Sequence, residues 1–83
     1  MKTHKNLVEM QQGEEGIIVD IQGGRGLYQR LSAMCIRPGV RLRKLSGSFL
    51  RGPVTVQIGN ARTALGYGMA AKIFLEVEGG TRP

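Results

Sequence analysis

Leu27-Tyr28-Gln29-Arg30-Leu31-Ser32-Ala33-Met34 runs into Cys35-Ile36-Arg37-Pro38-Gly39, and the hydrophobic period changes across the join. Leu27, Leu31 and Met34 stand at i, i+4 and i+7, one face of a helix, with Gln29, Arg30 and Ser32 on the other faces. Beyond the join the period becomes two. Val40, Leu42 and Lys44 fall on one face of a strand and Arg41 and Arg43 on the other, which fits an antiparallel sheet wetted on one side. Between them Arg37-Pro38-Gly39-Val40 reads as a type II turn. Proline presets the first central φ, and glycine takes the positive φ at the second. The stretch therefore holds one short helix, at about 27–34, that gives way to β structure.

The flanking sequence continues the β reading in both directions. Gly16 to Ile21 predicts a strand with Ile17, Val19 and Ile21 on its core face. Residues 46–53 form a loop, and Val54, Val56 and Ile58 alternate with Thr55 and Gln57 in a second clean strand. Gly59-Asn60 is a two-residue hairpin turn of the primed type, with Ala61 to Leu65 returning. About one helical turn fits at 68–72, and Ile73 to Val77 is a last strand. The reading gives a mainly β fold of about five short strands. With 13 glycines among 83 residues, marking frequent turns, it has the rhythm of a small barrel. The expected core is Ile17, Val19, Ile21, Leu31, Val40, Leu42, Val54, Val56, Ile58 and Ile73, with Phe74 and a buried Cys35 beside it.

Length and composition bound what such a chain can do. Eighty-three residues make a single domain, 1–83, with a core over about 7–77 and frayed ends. A domain of this size buries only roughly 60% of its unfolded surface, so its core is thin. No apolar run approaches the ~20 residues that span a bilayer, and no apolar stretch follows Met1 to Asn6 as in a secretory signal. The cytoplasm is the expected compartment. One cysteine excludes an internal disulfide framework. Charge is unevenly placed: residues 21–75 carry nine Lys or Arg and no acid, while the segments on either side are net acidic. Such a basic block favours encounter with an acidic protein, a nucleic acid or an anionic surface, or simply solvates the domain.

Residues with catalytic chemistry are sparse. His4, the lone histidine, lies in an N-terminal segment expected to be mobile, and the acids sit near the chain ends rather than in pairs. His4, Glu9, Glu14 and Glu15 lack the spacing of a built metal site, so no metal ligands and no cofactor are expected. Gly23-Gly24-Arg25-Gly26 precedes the helix as a phosphate-binding loop would, but without the Lys-Ser/Thr of a P-loop it reads as a plain loop. Gly13-x-x-Gly16-x-x-Val19-x-Ile21 resembles the KOW-type opening of SH3-like barrels that bind RNA. With the basic block, that keeps an RNA-binding barrel as the alternative. The four aromatics Tyr28, Phe49, Tyr67 and Phe74 form no basic-aromatic stripe on which bases would stack.

Taken in order, the motifs resemble the ferrous iron transport protein A (FeoA) family over about residues 7–77. They are Gly13-x-x-Gly16, Val19-x-Ile21, Gly23-Gly24, Arg30-Leu31-x-x-Met34-x-Ile36-x-Pro38-Gly39, Gly52-Pro53-Val54, Ala64-Leu65 and Ala71-x-Ile73. The resemblance implies an SH3-like β-barrel with a small helical insertion. It further implies a non-catalytic cytosolic accessory protein of bacterial ferrous iron uptake, without a defined metal-ligand motif. The implied partner is the membrane iron transporter fused to a G-protein domain (FeoB). The same module closes some metal-dependent repressors. A chain with its own Met1 and no DNA-binding helices is expected to be free-standing. Cys35 stands where the family pattern usually has glycine, a position that caps a helix in the left-handed conformation.

Candidate partner contacts follow from where large apolar groups meet charge. Phe49 and Leu50 lie at the tip of the 46–53 loop, either folding back over the open end of the barrel or anchoring a partner. Arg51 and Arg62, with Arg41 or Arg43, would steer an acidic partner toward them. Tyr28 and Arg30 on the helix, and Tyr67 at the later turn, are the neighbouring candidates.

Overall fold

The computed structural model describes residues 2–47 and 49–78. Six strands form one antiparallel sheet: β1 (Lys2–Asn6), β2 (Glu15–Ile21), β3 (Arg41–Ser46), β4 (Val54–Ile58), β5 (Ala61–Leu65) and β6 (Ile73–Glu78), in the order β1-β6-β2-β3-β4-β5. Helix α1 spans Gly24–Ala33 between β2 and β3, and the single-turn α2 spans Tyr67–Ala70 between β5 and β6. The inward faces of β2 to β6 meet around one cluster, into which α1 sends Leu31 and α2 sends Ala70. Leu27 and Met34 pack against it from the predicted helix face.

β2 turns over relative to the reading from sequence. Ile18 is buried, while Ile17 and Val19 are 38% and 39% exposed. Gly16 sets this register. A Cβ built there would lie 2.7 Å from Val77 Cγ1, so β6 approaches so closely that only glycine fits the inward position. Ile18, two residues on, then also faces inward. A bulge between Ile18 and Asp20 adds one residue to the strand and returns Ile21 to the core side, where it is half-buried. Val40 and Ile58 are likewise only partly buried, and Phe74 is intermediate. Leu31, Leu42, Val54, Val56 and Ile73 are buried as expected.

Lys2–Asn6 is a strand, not a mobile end. It pairs with β6, and Lys2 and His4 both reach Glu76, at 3.3 and 3.6 Å. Asn6 then closes a reciprocal cap: its Oδ1 accepts the Glu9 N–H, and its own N–H donates to Glu9 Oε1, both at 2.9 Å. The turn so made buries Leu7 and Met10. It is held from the sheet side by Lys44, whose Nζ donates to the carbonyls of Val8 and Met10 at 3.0 and 2.7 Å. The end expected to fray at 79–83 lies outside the described residues.

Helix α1 ends in a Schellman arrangement. The Ile36 N–H donates to Leu31 O at 2.9 Å and the Cys35 N–H to Ser32 O at 3.0 Å. Cys35 is left-handed, with φ 67°, and Leu31 and Ile36 are both buried beneath it. Its thiol is exposed, which corrects the expectation of a buried cysteine: the αL residue of this cap projects away from the core. The Arg37–Val40 turn follows, with Gly39 at φ 94° and the Val40 N–H donating to Arg37 O.

Candidate functional site

The residues singled out from sequence fall into three places. At the end of β5, Arg51 lies over the ring of Tyr67, its guanidinium carbon 5.9 Å from the centroid. Leu50 is next to it and is 84% exposed, so it does not fold back over the barrel. The side chain of Phe49 lies outside the described residues. On β5 itself, Arg62 pairs in register with Gln57, nearer the Gly59-Asn60 turn. Tyr28, 42% exposed, and Arg30, also exposed, lie apart on α1.

The backbone explains why Leu50 projects. Leu50 adopts φ 54° and ψ 34°, and Arg51 follows at φ 60°, two successive left-handed residues that are not glycine. Each costs roughly 1–2 kcal/mol relative to right-handed backbone. Behind the pair, Gly47 at φ 125° lets the loop pass over Pro53 and Val54, where a Cβ would meet Pro53 O at 2.5 Å. The chain is thus folded tightly at its base and strained at its tip.

The basic block is divided by the fold. Glu15 faces Arg41 and Arg43 across the β2–β3 pairing, at 3.6 and 2.7 Å. The Arg43 hydrogen bond and charge, with Arg41 adding to them, hold the Glu15 carboxyl below its ordinary range. Lys44 is buried, and burial pushes its ammonium below its ordinary value; Lys5 adds to this and Glu14 opposes it. Among the described residues Arg25, Arg30, Arg62 and Lys72 make no ion pair. The shallow depression of about 360 Å³ beside β2 and β3, lined by Glu15, Arg41, Arg43 and Gln57, sets one carboxylate against two guanidinium groups and keeps a single net positive charge. Among the described residues no three His, Cys, Asp or Glu side chains converge on one point, and no helix is long and apolar enough to cross a membrane.

Among the described residues the candidate contacts thus lie on the exposed rim of a small antiparallel barrel, and the fold is SH3-like. A zinc complex of Stenotrophomonas maltophilia FeoA, described as a prokaryotic SH3 domain protein, superposes at TM-score 0.72 over 84% of this chain and 87% of that one, at 22% identity. A manganese-dependent transcriptional repressor matches at TM-score 0.83 and 22% identity over 94% of this chain but 44% of its own. The FeoA domain model matches residues 5–77, and the chain belongs to the FeoA family. Two relatives are more similar in sequence. An iron uptake regulatory protein (FeoA) of known crystal structure is 34% identical at TM-score 0.81, over 88% of this chain and 96% of that one. A Methanocaldococcus jannaschii protein bearing the name Fe(2+) transport protein A is 37% identical over 65 residues, 78% of this chain and 77% of its own. The family is associated with ferrous iron transport.

Proposed function

We propose that this chain is a non-catalytic, cytoplasmic accessory protein of ferrous iron uptake. It acts by direct contact with the G-protein-fused membrane iron transporter (FeoB). Family membership supports the iron-uptake setting. The observation that carries the contact reading is Leu50. A large apolar side chain, 84% exposed on strained left-handed backbone, stands beside Arg51, whose guanidinium lies over the Tyr67 ring. An apolar anchor with a cationic neighbour is a common interface anatomy. Arg51 and Arg62 supply attraction toward an acidic surface.

The test is binding of the transporter's cytosolic G-protein domain, followed by biosensor. Leu50→Ser is expected to keep the wild-type melting midpoint and to lose affinity by about tenfold or more, as a buried anchor would. Arg51→Glu is expected to slow association more than it speeds dissociation, with the difference shrinking as salt rises. If both variants stay folded and bind like wild type, this loop is not the contact.

A further inference from the structure

The sheet ends in two edges of different character. β1 carries Lys2, His4 and Lys5, and its charges are answered by Glu76 and Glu14. Lysines along an edge discourage strand pairing. β5 reads Ala61-Arg62-Thr63-Ala64-Leu65 and, among the described residues, is hydrogen bonded to β4 alone. Ala61, Arg62 and Ala64 are exposed. The two-residue turn at Gly59-Asn60 fixes which backbone groups face outward. Ile58 and Ala61 close the hairpin as a hydrogen-bonded pair, so Val56 with Thr63 and Val54 with Leu65 are also hydrogen-bonded pairs. Arg62 and Ala64 then direct their N–H and C=O groups away from β4. Two donors and two acceptors stand two residues apart, the repeat of an incoming strand.

The charge carried by β4, β5 and the segments that flank them has one sign, and Glu15, which shares a depression with Gln57, is held by Arg41 and Arg43. No acid occurs between residues 21 and 75. Arg62 lies on β5, and Arg51 sits over Tyr67 just beyond the strand's C-terminal end. The same cations, with a net charge of +6, oppose pairing of β5 with a second copy. We infer that β5 is a docking edge for an extended, acidic peptide segment of the partner. That segment would add as a seventh strand through the backbone of Arg62 and Ala64 and place its carboxylates near Arg62 and Arg51. The inference rests on the contact reading above and names the chemistry of what the partner offers. It also joins the edge to the Leu50 rim, because Val54 pairs with Leu65 where β4 leaves the 49–51 turn.

The experiment uses a capped peptide of alternating glutamate and valine, about eight residues long, titrated into the isotopically labelled full chain at low salt. Amide exchange at Arg62 and Ala64 is expected to slow, with shift changes confined to β4, β5 and the 66–67 turn. The matching lysine-valine peptide is expected not to bind. Ala64→Pro removes one outward N–H without touching the β4 ladder and is expected to weaken binding about tenfold or more, whereas Ala64→Ser does not. Should Ala64→Pro misfold, Arg62→Glu on the solvent face is expected to weaken binding comparably. Shifts that map elsewhere, or unchanged exchange at Arg62 and Ala64, overturn the inference. So does protein-concentration-dependent protection there without peptide, since the occupant would then be a second copy. If the transporter domain binds wild type and Ala64→Pro alike and the peptide gives no protection, the edge fails while the transporter reading stands. If the peptide protects Arg62 and Ala64 but the transporter domain does not bind, the edge stands and the transporter reading fails.

Discussion

The Lys44 ammonium donates to the Met10 carbonyl at 2.7 Å across 34 residues of sequence, from a side chain only 2% exposed. The Val8 carbonyl accepts a second bond from it, and the Lys44 backbone exchanges further bonds with Gly13 and Glu14. One residue of β3 thus holds the whole 8–14 turn against the sheet. Lys44→Met keeps the stem's volume but leaves buried carbonyls without that donor. We expect a loss of about 1–3 kcal/mol in urea unfolding, with faster amide exchange at residues 8–14.

The pH dependence follows from two groups shifted down. Lys44 in the folded chain holds its proton less tightly than the usual value of 10.5 in the unfolded chain. Between its folded pKa and 10.5 the unfolded state therefore binds more protons, and stability from this group rises with pH. Lys44→Met should flatten the alkaline rise. Glu15 is depressed below 4.5 by Arg43 and Arg41, so its contribution is present above 4.5 and is lost as pH falls through the folded value. Glu15→Gln should make the acid-side decline shallower and leave the alkaline side alone. Thermal melts across pH for the two variants measure both slopes.

Cys35 occupies the left-handed position of the α1 cap with its thiol exposed. The left-handed penalty of roughly 1–2 kcal/mol is partly offset by glycine's larger chain entropy in the unfolded state. Cys35→Gly should stabilise the domain by about 0.5–1 kcal/mol. Cys35→Val should destabilise it, because a β-branched residue tolerates this φ worst. Denaturant midpoints at unchanged slope would register both changes.

The inverted face of β2 separates two isoleucines that composition cannot tell apart. Ile18→Ala should cost about 2–5 kcal/mol, because Ile18 is 1% exposed. Ile17→Ala, at a position 38% exposed, should cost under about 1 kcal/mol. A larger loss at Ile17 than at Ile18 would mean the strand sits in the other register.

That pair also shows what the sequence made legible. Helix α1, the Arg37–Val40 turn, the β4–β5 hairpin and the inward Lys44 could be read because each depends on local period or turn chemistry. The face of β2 could not, because it depends on how closely β6 crosses Gly16, a contact about 60 residues away. β1 escaped notice because edge strands need no apolar alternation. The Asn6-x-x-Glu9 cap was a sequence signal that could have placed its end. Within the candidate site, the apolar tip at Leu50 and the nearby cations were visible as residue types. The Arg51–Tyr67 contact and the β5 edge were not, since the first arises from how the 49–51 turn meets the end of the hairpin and the second from the strand order of the whole sheet.

Leu50 brings stability and binding into opposition. Its φ of 54° and ψ of 34° are values glycine adopts freely, and its side chain packs on little of the protein, being 84% exposed. Leu50→Gly should therefore raise the unfolding midpoint, by an amount equivalent to about 0.5–1 kcal/mol, since the strain is relieved and little burial is lost. The same change removes the apolar anchor, so affinity for the transporter's G-protein domain should fall about tenfold or more. Leu50→Ala separates the two effects: it keeps the backbone penalty and loses the anchor, so it should bind weakly without gaining stability. A Leu50→Gly protein that is more stable and binds as well as wild type would show that the strain serves the loop's own packing and not a partner. A Leu50→Gly protein that is less stable would show that the leucine side chain holds the turn in place.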